Sequence, residues 1–164
     1  MTVEGCQKLL EVEQIRVLKA RYCRFLDEKD WAGLEALFVE DVMVEIGGAA
    51  GAGDRPRSFR GRRDFLEELQ QLMAPLVTVH QVSAPEIKIL SQTDAAGIWA
   101  VADRLVFPAG SPIRVLQGYG HYREEYRKLQ GRWSIASMRL TRLLVETTSE
   151  QSTGAARISA GGSP

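Results

Sequence analysis

Several side chains stand out because a charge or hydroxyl sits where the surrounding pattern asks for apolar residues. Alternate residues of a strand share one face. On that count Trp99, Val101, Asp103, Leu105 and Phe107 line one side of a strand, with Asp103 the lone charge. A carboxylate buried among such neighbours needs a partner or a bound proton, because burying it unpaired is costly. A structural ion pair and a functional acid are both open for it. The last β-rich run repeats the pattern. Ala136, Met138, Leu140, Arg142 and Leu144 share a face whose sole charge is Arg142, and the opposite face is mixed, with Trp133, Ile135, Ser137, Arg139, Thr141 and Leu143. A guanidinium stays charged and must meet a carboxylate, a carbonyl or a substrate oxygen. Arg142 therefore either pairs with Asp103 or holds a developing enolate oxygen.

His80 shares a face with Thr78 and Val82. A lone histidine is more often a hydrogen-bonded core residue than a base, so its type alone decides nothing. His121, beside Tyr119 and Arg123, reads as non-catalytic. Tyr22 falls on the apolar stripe of the first helical segment, where a core tyrosine with its hydroxyl at the rim is the plain alternative. Asp27 follows five residues later, near the end of that helix. The C-terminal end of a helix is its negative pole, so an acid there is disfavoured and asks for another reason to be present, unless it is merely solvated.

The elements that must position these groups read as three helices followed by strands. Residues 8–28 carry a helical stripe of Ile15, Leu18, Tyr22, Phe25 and Leu26. Asp30 is placed to cap a short helix from Trp31 to Phe38, and residues 41–46 alternate as a strand. Residues 61–76 give a third helix, ending near Pro75. Four long β-rich runs follow, over 77–90, 95–107, 113–129 and 131–146. Between strand and third helix, residues 47–58 are rich in glycine and read as a surface loop or lid; they lack the Lys-Ser/Thr of a phosphate loop. The segment 147–164 is rich in Ser, Gly, Thr and Ala and is expected to be a disordered tail to a single domain spanning 1–146. Helices followed by an antiparallel meander is an α+β order. Helices laid on one face of a strongly curved sheet leave a pocket between the layers.

Composition narrows the function classes. The chain has 164 residues, 45% of them hydrophobic, with 21 basic and 21 acidic side chains. That balance, and only a short basic cluster from Arg55 to Arg63, argues against nucleic acid or an anionic membrane as partner. Cys6 and Cys23 have no metal-like spacing, and Cys23 reads as a buried free thiol. With no signal-like start and no apolar run long enough for a membrane span, the cytoplasm is the expected location. Two distant histidines and scattered acids make no metal-ligand set, and there is no serine elbow or dinucleotide fingerprint.

The order ARYCRFLDEKDWAGLEALF, TVHQVSAPEIKI, AAGIWAVADRLVF and YREEYRKLQGRW resembles the SnoaL-like branch of the nuclear-transport-factor-2-like superfamily. The likeness covers roughly residues 10–146 and is greatest to the bile acid 7α-dehydratases, with further similarity to scytalone dehydratase and hexachlorocyclohexane dehydrochlorinase. It implies a conical α+β barrel of three N-terminal helices on a strongly curved, mixed, mostly antiparallel sheet. The dehydratases carry a Tyr-x-x-x-x-Asp spacing on the first helix, which Tyr22 and Asp27 match, and a catalytic histidine early in the strand after the third helix, which His80 matches. The Trp-x-x-x-Asp aspartate and late arginine of the bile acid enzymes correspond to Asp103 and Arg142.

The resemblance implies a lyase that eliminates water beside a carbonyl of a hydrophobic steroid-like, polyketide or aromatic substrate. His80 would be the base, Asp27 its orienting partner, Tyr22 a donor to the carbonyl oxygen, and Asp103 with Arg142 the polar end of the pocket. No metal, nicotinamide or flavin is expected. Isomerisation or polyketide ring closure in the same pocket, and a non-catalytic binding or dimerisation module, are the rivals. A homodimer or homotrimer is expected, pairing through outward Trp133, Ile135 and Leu143.

Overall fold

The chain, described here from a computed structural model that covers residues 2–47 and 56–149, begins with a helix longer than its apolar stripe. Helix α1 spans Val3–Glu28, with Thr2 as N-cap accepting a hydrogen bond from the Gly5 N–H. The apolar pattern marks only the part that packs. Val3, Leu9 and Leu10 are exposed, whereas Ile15, Leu18, Tyr22, Cys23 and Leu26 are buried. Each large aliphatic side chain fully withdrawn from water contributes about 1.5–3 kcal/mol, so Ile15 and Leu26 anchor the helix. Asp30 caps α2, Trp31–Glu35, by accepting from the Gly33 N–H. The chain leaves the helix after one turn, and β1 starts at Phe38 and runs to Ile46. Arg57–Arg60, which begins in the last two residues of the stretch read as loop, forms a short strand β2 on the edge of the sheet. Helix α3 spans Arg62–Met73 and buries Phe65 and Leu69.

Strands β3 (Val77–Ile89), β4 (Asp94–Val106), β5 (Val115–Leu129) and β6 (Arg132–Thr148) complete a six-stranded sheet in the order β2-β1-β6-β5-β4-β3. The β1–β6 pair is parallel and the other neighbours are antiparallel. The three helices and this mixed sheet make the α+β cone that the resemblance implied. The last strand continues two residues past Glu146, to Thr148. Residues 150–164 of the segment read as a tail, and most of the Gly-rich loop, lie outside the described residues. No helix among the described residues is long and apolar enough to cross a membrane.

The faces of β6 differ from simple alternation. Tyr126 pairs with Ile135 and Glu125 with Ser137, which leaves Ala136 as an extra residue. This bulge reverses the alternation. Trp133 and Ile135 before it, and Met138 and Leu140 after it, therefore all face the helices and are buried. The expected use of Trp133 and Ile135 as an outward pairing surface is thus incorrect, since both lie in the core. A second bulge leaves Leu143 unpaired between Leu144, opposite Tyr119, and Arg142, opposite Gly120. It turns Leu144 away from the Arg142 face, and Leu143 and Leu144 are exposed.

The core also holds a charge pair that no periodicity revealed. Lys19 and Glu124 are fully buried, with Nζ 2.5 Å from Oε1. The Tyr126 hydroxyl donates to Glu124 Oε2 at 2.5 Å, and the Trp99 indole N–H donates to Tyr126 at 2.8 Å. The Lys19 ammonium lies over the rings of Tyr22 and Tyr122, 4.1 and 3.6 Å from their centroids. Removing one partner leaves an uncompensated buried charge, which costs about 3–5 kcal/mol. Lys19→Met is expected to lose that much in denaturant unfolding, and Lys19→Met with Glu124→Gln to recover part of it. A double variant as unstable as the sum of the two singles would contradict this coupling.

Candidate functional site

The last turn of α1 and the first residues of β3 meet at Asp27. The His80 ring Nδ1 is 2.7 Å from Asp27 Oδ1, and the His80 backbone N–H donates to Oδ2 at 2.8 Å. The Thr78 hydroxyl also donates to Oδ1 at 2.8 Å. Because β3 is an edge strand, it has main-chain groups that no neighbouring strand satisfies, and Asp27 accepts one of them. Burial alone would raise the Asp27 carboxyl, but hydrogen bonds from the His80 ring, the His80 N–H and Thr78, with the imidazole's charge, outweigh it and hold the group below the usual aspartate range. An ionised carboxylate facing Nδ1 places the imidazole proton on that nitrogen and leaves Nε2 as the basic one. The His80 side chain is only 5% exposed.

The remaining candidates lie on the same inner surface. His80 stands directly opposite Asp103 on the neighbouring strand β4, so their side chains share a face. Asp103 is 3% exposed, and its Oδ2 lies 2.5 Å from Arg142 Nη1 on β6. The contact is close but out of hydrogen-bond alignment: both Asp103 oxygens and Arg142 Nη1 are buried without an aligned partner among the described residues. The pairing weighed from sequence is therefore present, and it keeps hydrogen-bonding capacity unused. Strand β5, between them, carries Gly118 opposite Asp103 and Gly120 opposite Arg142. A Cβ on Gly118 would lie 2.5 Å from Arg142 Nη1 and 2.7 Å from Asp103 Oδ1, so only glycine leaves room for the pair.

Tyr22 is 2% exposed and lies edge-on to Phe38 and Tyr122. Burial, then the neighbouring Tyr122 with which it hydrogen-bonds, raises its phenol well above the usual tyrosine range. Its link to the polar pair runs through Tyr122, a phenol pushed up by burial and by the charge of Asp103 and pulled back by Arg142. Tyr22 thus stands behind Tyr122 on the inner wall. Cys23 is buried as expected, and burial pushes its thiol up to about 11, so it is unreactive. Among the described residues no group of three or more His, Cys, Asp or Glu side chains is arranged to hold a metal ion.

The residues missed from sequence are Thr78, Gly118, Gly120 and Tyr122. The two glycines had a legible signal: glycines two apart inside a strand weaken it and mark a close approach on one face. Thr78 had none, because its bond to Asp27 depends on how the helix end meets the edge strand.

The lowered Asp27 value fixes a sign for acid stability. A carboxyl depressed in the folded state stabilises it above the ordinary aspartate range, and that stabilisation is lost as pH falls through the folded value. Asp27→Asn is expected to lower stability at neutral pH by about 1–3 kcal/mol, the scale of hydrogen bonds to a charged group. The gap between parent and variant should stay constant down to about pH 4 and close below it. Thermal unfolding across pH 3–7 measures this; a gap independent of pH would contradict it.

Comparison with known proteins agrees with this architecture. The SnoaL-like domain family matches residues 7–139. A relative from Gibberella zeae, named as a candidate cyclase, is 25% identical over 133 residues, covering 76% of this chain and 86% of that protein. A candidate scytalone dehydratase structure from Novosphingobium aromaticivorans superposes with TM-score 0.75 at 23% identity, covering 88% of this chain and 91% of the other. The type 3 hexachlorocyclohexane dehydrochlorinase LinA of Novosphingobium barchaimii superposes with TM-score 0.72 at 15% identity, covering 89% and 95%. At these identities the two structures speak for the fold alone, the nuclear-transport-factor-2-like cone. The match over most of its length, with three helices closed on a bent mixed sheet, shows that the chain belongs to the SnoaL-like domain family.

Proposed function

We propose that this chain is a cofactor-independent carbon–oxygen lyase that removes water from a hydrophobic substrate carrying a hydroxyl β to a carbonyl. The observation that carries the reading is the 2.7 Å contact between His80 Nδ1 and Asp27 Oδ1, made by a histidine almost withdrawn from solvent. His80 Nε2 takes the proton from the carbon beside the carbonyl, and Asp27 stabilises the imidazolium as it forms. The electron pair left on that carbon forms the carbon–carbon double bond as the β C–O bond breaks. The departing hydroxide takes the proton back from Nε2 and leaves as water. Atoms balance with no external oxidant or reductant.

The unused capacity of Asp103 and Arg142 suits the polar part of the reaction. Asp103 can accept from the substrate hydroxyl, and the guanidinium can donate to the oxygen on which charge develops. Tyr22, joined to Tyr122, adds a protonated phenol network behind these groups. Buried Val101, Leu105 and Leu140 supply an apolar wall for a polycyclic or aromatic skeleton. The neighbour named a scytalone dehydratase supports elimination. The relative named a cyclase supports a second reading, ring closure with the same base and the same oxyanion donors.

Incubation with a panel of polycyclic and aromatic β-hydroxy ketones, followed by mass spectrometry, separates the two. Elimination lowers the product mass by one water, whereas ring closure by addition of a carbanion to a carbonyl leaves it unchanged. His80→Ala and Asp27→Asn should each fold and each lose about 10²–10⁴-fold in turnover, the usual contribution of a positioned acid–base group. Parental turnover in both variants would end the reading.

A further inference from the structure

Helix α1 ends on a residue of unexpected type. Lys29 occupies the C-cap in the left-handed region, φ 63°. Glycine is the usual occupant, because a Cβ is strained there. Residues held in such conformations cluster where their side chains are required. The Lys29 side chain turns back over the helix end. Its Nζ lies 3.2 Å from the Leu26 carbonyl oxygen and 2.8 Å from Thr78 Oγ1. Thr78 is 4% exposed.

The hydrogen bonds then have one direction. An ammonium can only donate, and a threonine hydroxyl has one proton. Thr78 accepts from Lys29, so its proton goes to Asp27 Oδ1, 2.8 Å away. Asp27 in turn receives Nδ1 of His80 on the same oxygen and the His80 N–H on the other. The direction of each hydrogen bond along Lys29–Thr78–Asp27–His80 is thereby assigned.

We propose that Lys29 is a positioning residue that acts through Thr78: it polarises the Thr78 hydroxyl toward Asp27, keeps that carboxylate ionised and fixed in plane, and so locks His80 with its basic Nε2 directed away from the helix. This rests on the His80–Asp27 reading above. The titratable groups facing Asp27 are Lys29 and the Cys23 thiol from α1 and His80 from β3; Asp103 lies one strand further, opposite His80. Lys29 supplies the fixed positive charge of this set. Burial lowers its ammonium and the charge of Asp27 offsets this in part, which reports the same coupling from the other end.

The rival role is a plain helix cap, and the variants part the two. Lys29→Gly relieves the left-handed strain while deleting the donor, and Lys29→Met deletes the donor alone. Thr78→Val removes the relay and Thr78→Ser retains it. The readouts on the full chain are the ¹³C titration of the Asp27 carboxyl, the ¹⁵N tautomer signature of the His80 ring and thermal unfolding. Lys29→Gly, Lys29→Met and Thr78→Val should move the Asp27 midpoint upward and mix the His80 tautomers, and Thr78→Ser should restore the parental values. Lys29→Gly should do so with an unfolding temperature no lower than the parent's. Where turnover is measurable it should fall about 10- to 100-fold, the scale on which partners behind a working histidine act. An unchanged Asp27 midpoint and a single His80 tautomer in both Lys29 variants would overturn the proposal. The magnetic resonance signals need no substrate. A shift in them with no elimination by the parent would sink the lyase reading and leave the positioning role standing.

Discussion

The geometry of the inner surface depends on one carboxylate at an unfavourable place. Asp27 sits where the α1 dipole is negative, and it is retained there by donors from the Thr78 hydroxyl, the His80 main chain and the His80 ring. All come from β3, which pairs with β4 on one side only. Hydrogen bonds to an ionised group are roughly twice as strong as neutral ones, so this cluster fastens an edge strand to a helix end. The same bonds set the histidine tautomer. A change that loosens the helix end therefore also loosens the His80 ring.

The surroundings of that interaction are polar but almost closed to water. The Lys19 and Glu124 side chains have no exposure, the Lys19 ammonium lies against the rings of Tyr22 and Tyr122, and the second carboxylate oxygen accepts from Tyr126, whose hydroxyl in turn accepts from Trp99. A buried ion pair of this kind adds little net stability over an apolar equivalent. Its consequence here is geometric. It fixes two phenol rings against α1 and leaves the helix no apolar alternative register, because sliding by one turn would strand a charge. Glu11 does the same nearer the helix start, accepting from Lys128 and from the Trp133 indole. Helix α1 is thus held to the sheet by Glu11, Lys19 and Asp27, at residues eight apart, and the last of these carries the histidine.

What was legible in the sequence follows the physics of each signal. Helix existence and strand order were readable because period-3.6 and period-2 stripes survive in α1, β4 and β5. Asp103 was readable because β4 alternates without interruption from Trp99 to Leu105, as the burial shows. Trp133 and Ile135 were misplaced because the bulge at Ala136 reverses the faces of β6, and a single extra residue leaves no mark in composition. Arg142 was nonetheless found, since it lies beyond that bulge, in phase with Met138 and Leu140. Strand β2 was missed because its four residues follow a glycine-rich stretch and only Phe59 is shielded. Lys19 and Glu124 look like ordinary solvated charges on their own elements; the partner of each lies 105 residues away.

The two glycines of β5 show why the polar pair and the histidine must be considered together. Gly118 removes a side chain from the inner face, and the space goes to Asp103 and Arg142, which meet across it, whereas at Gly120 the main chain of Thr141 occupies the place of a Cβ. Asp103 and Arg142, two strands apart across β5, touch without aligning. Unaligned buried charges are costly. Their orientation is suited to a third polar group reaching both, and the neighbour across β4 is His80. Under the proposed elimination, a substrate oxygen lying against Asp103 and Arg142 would bring its adjacent carbon toward the imidazole.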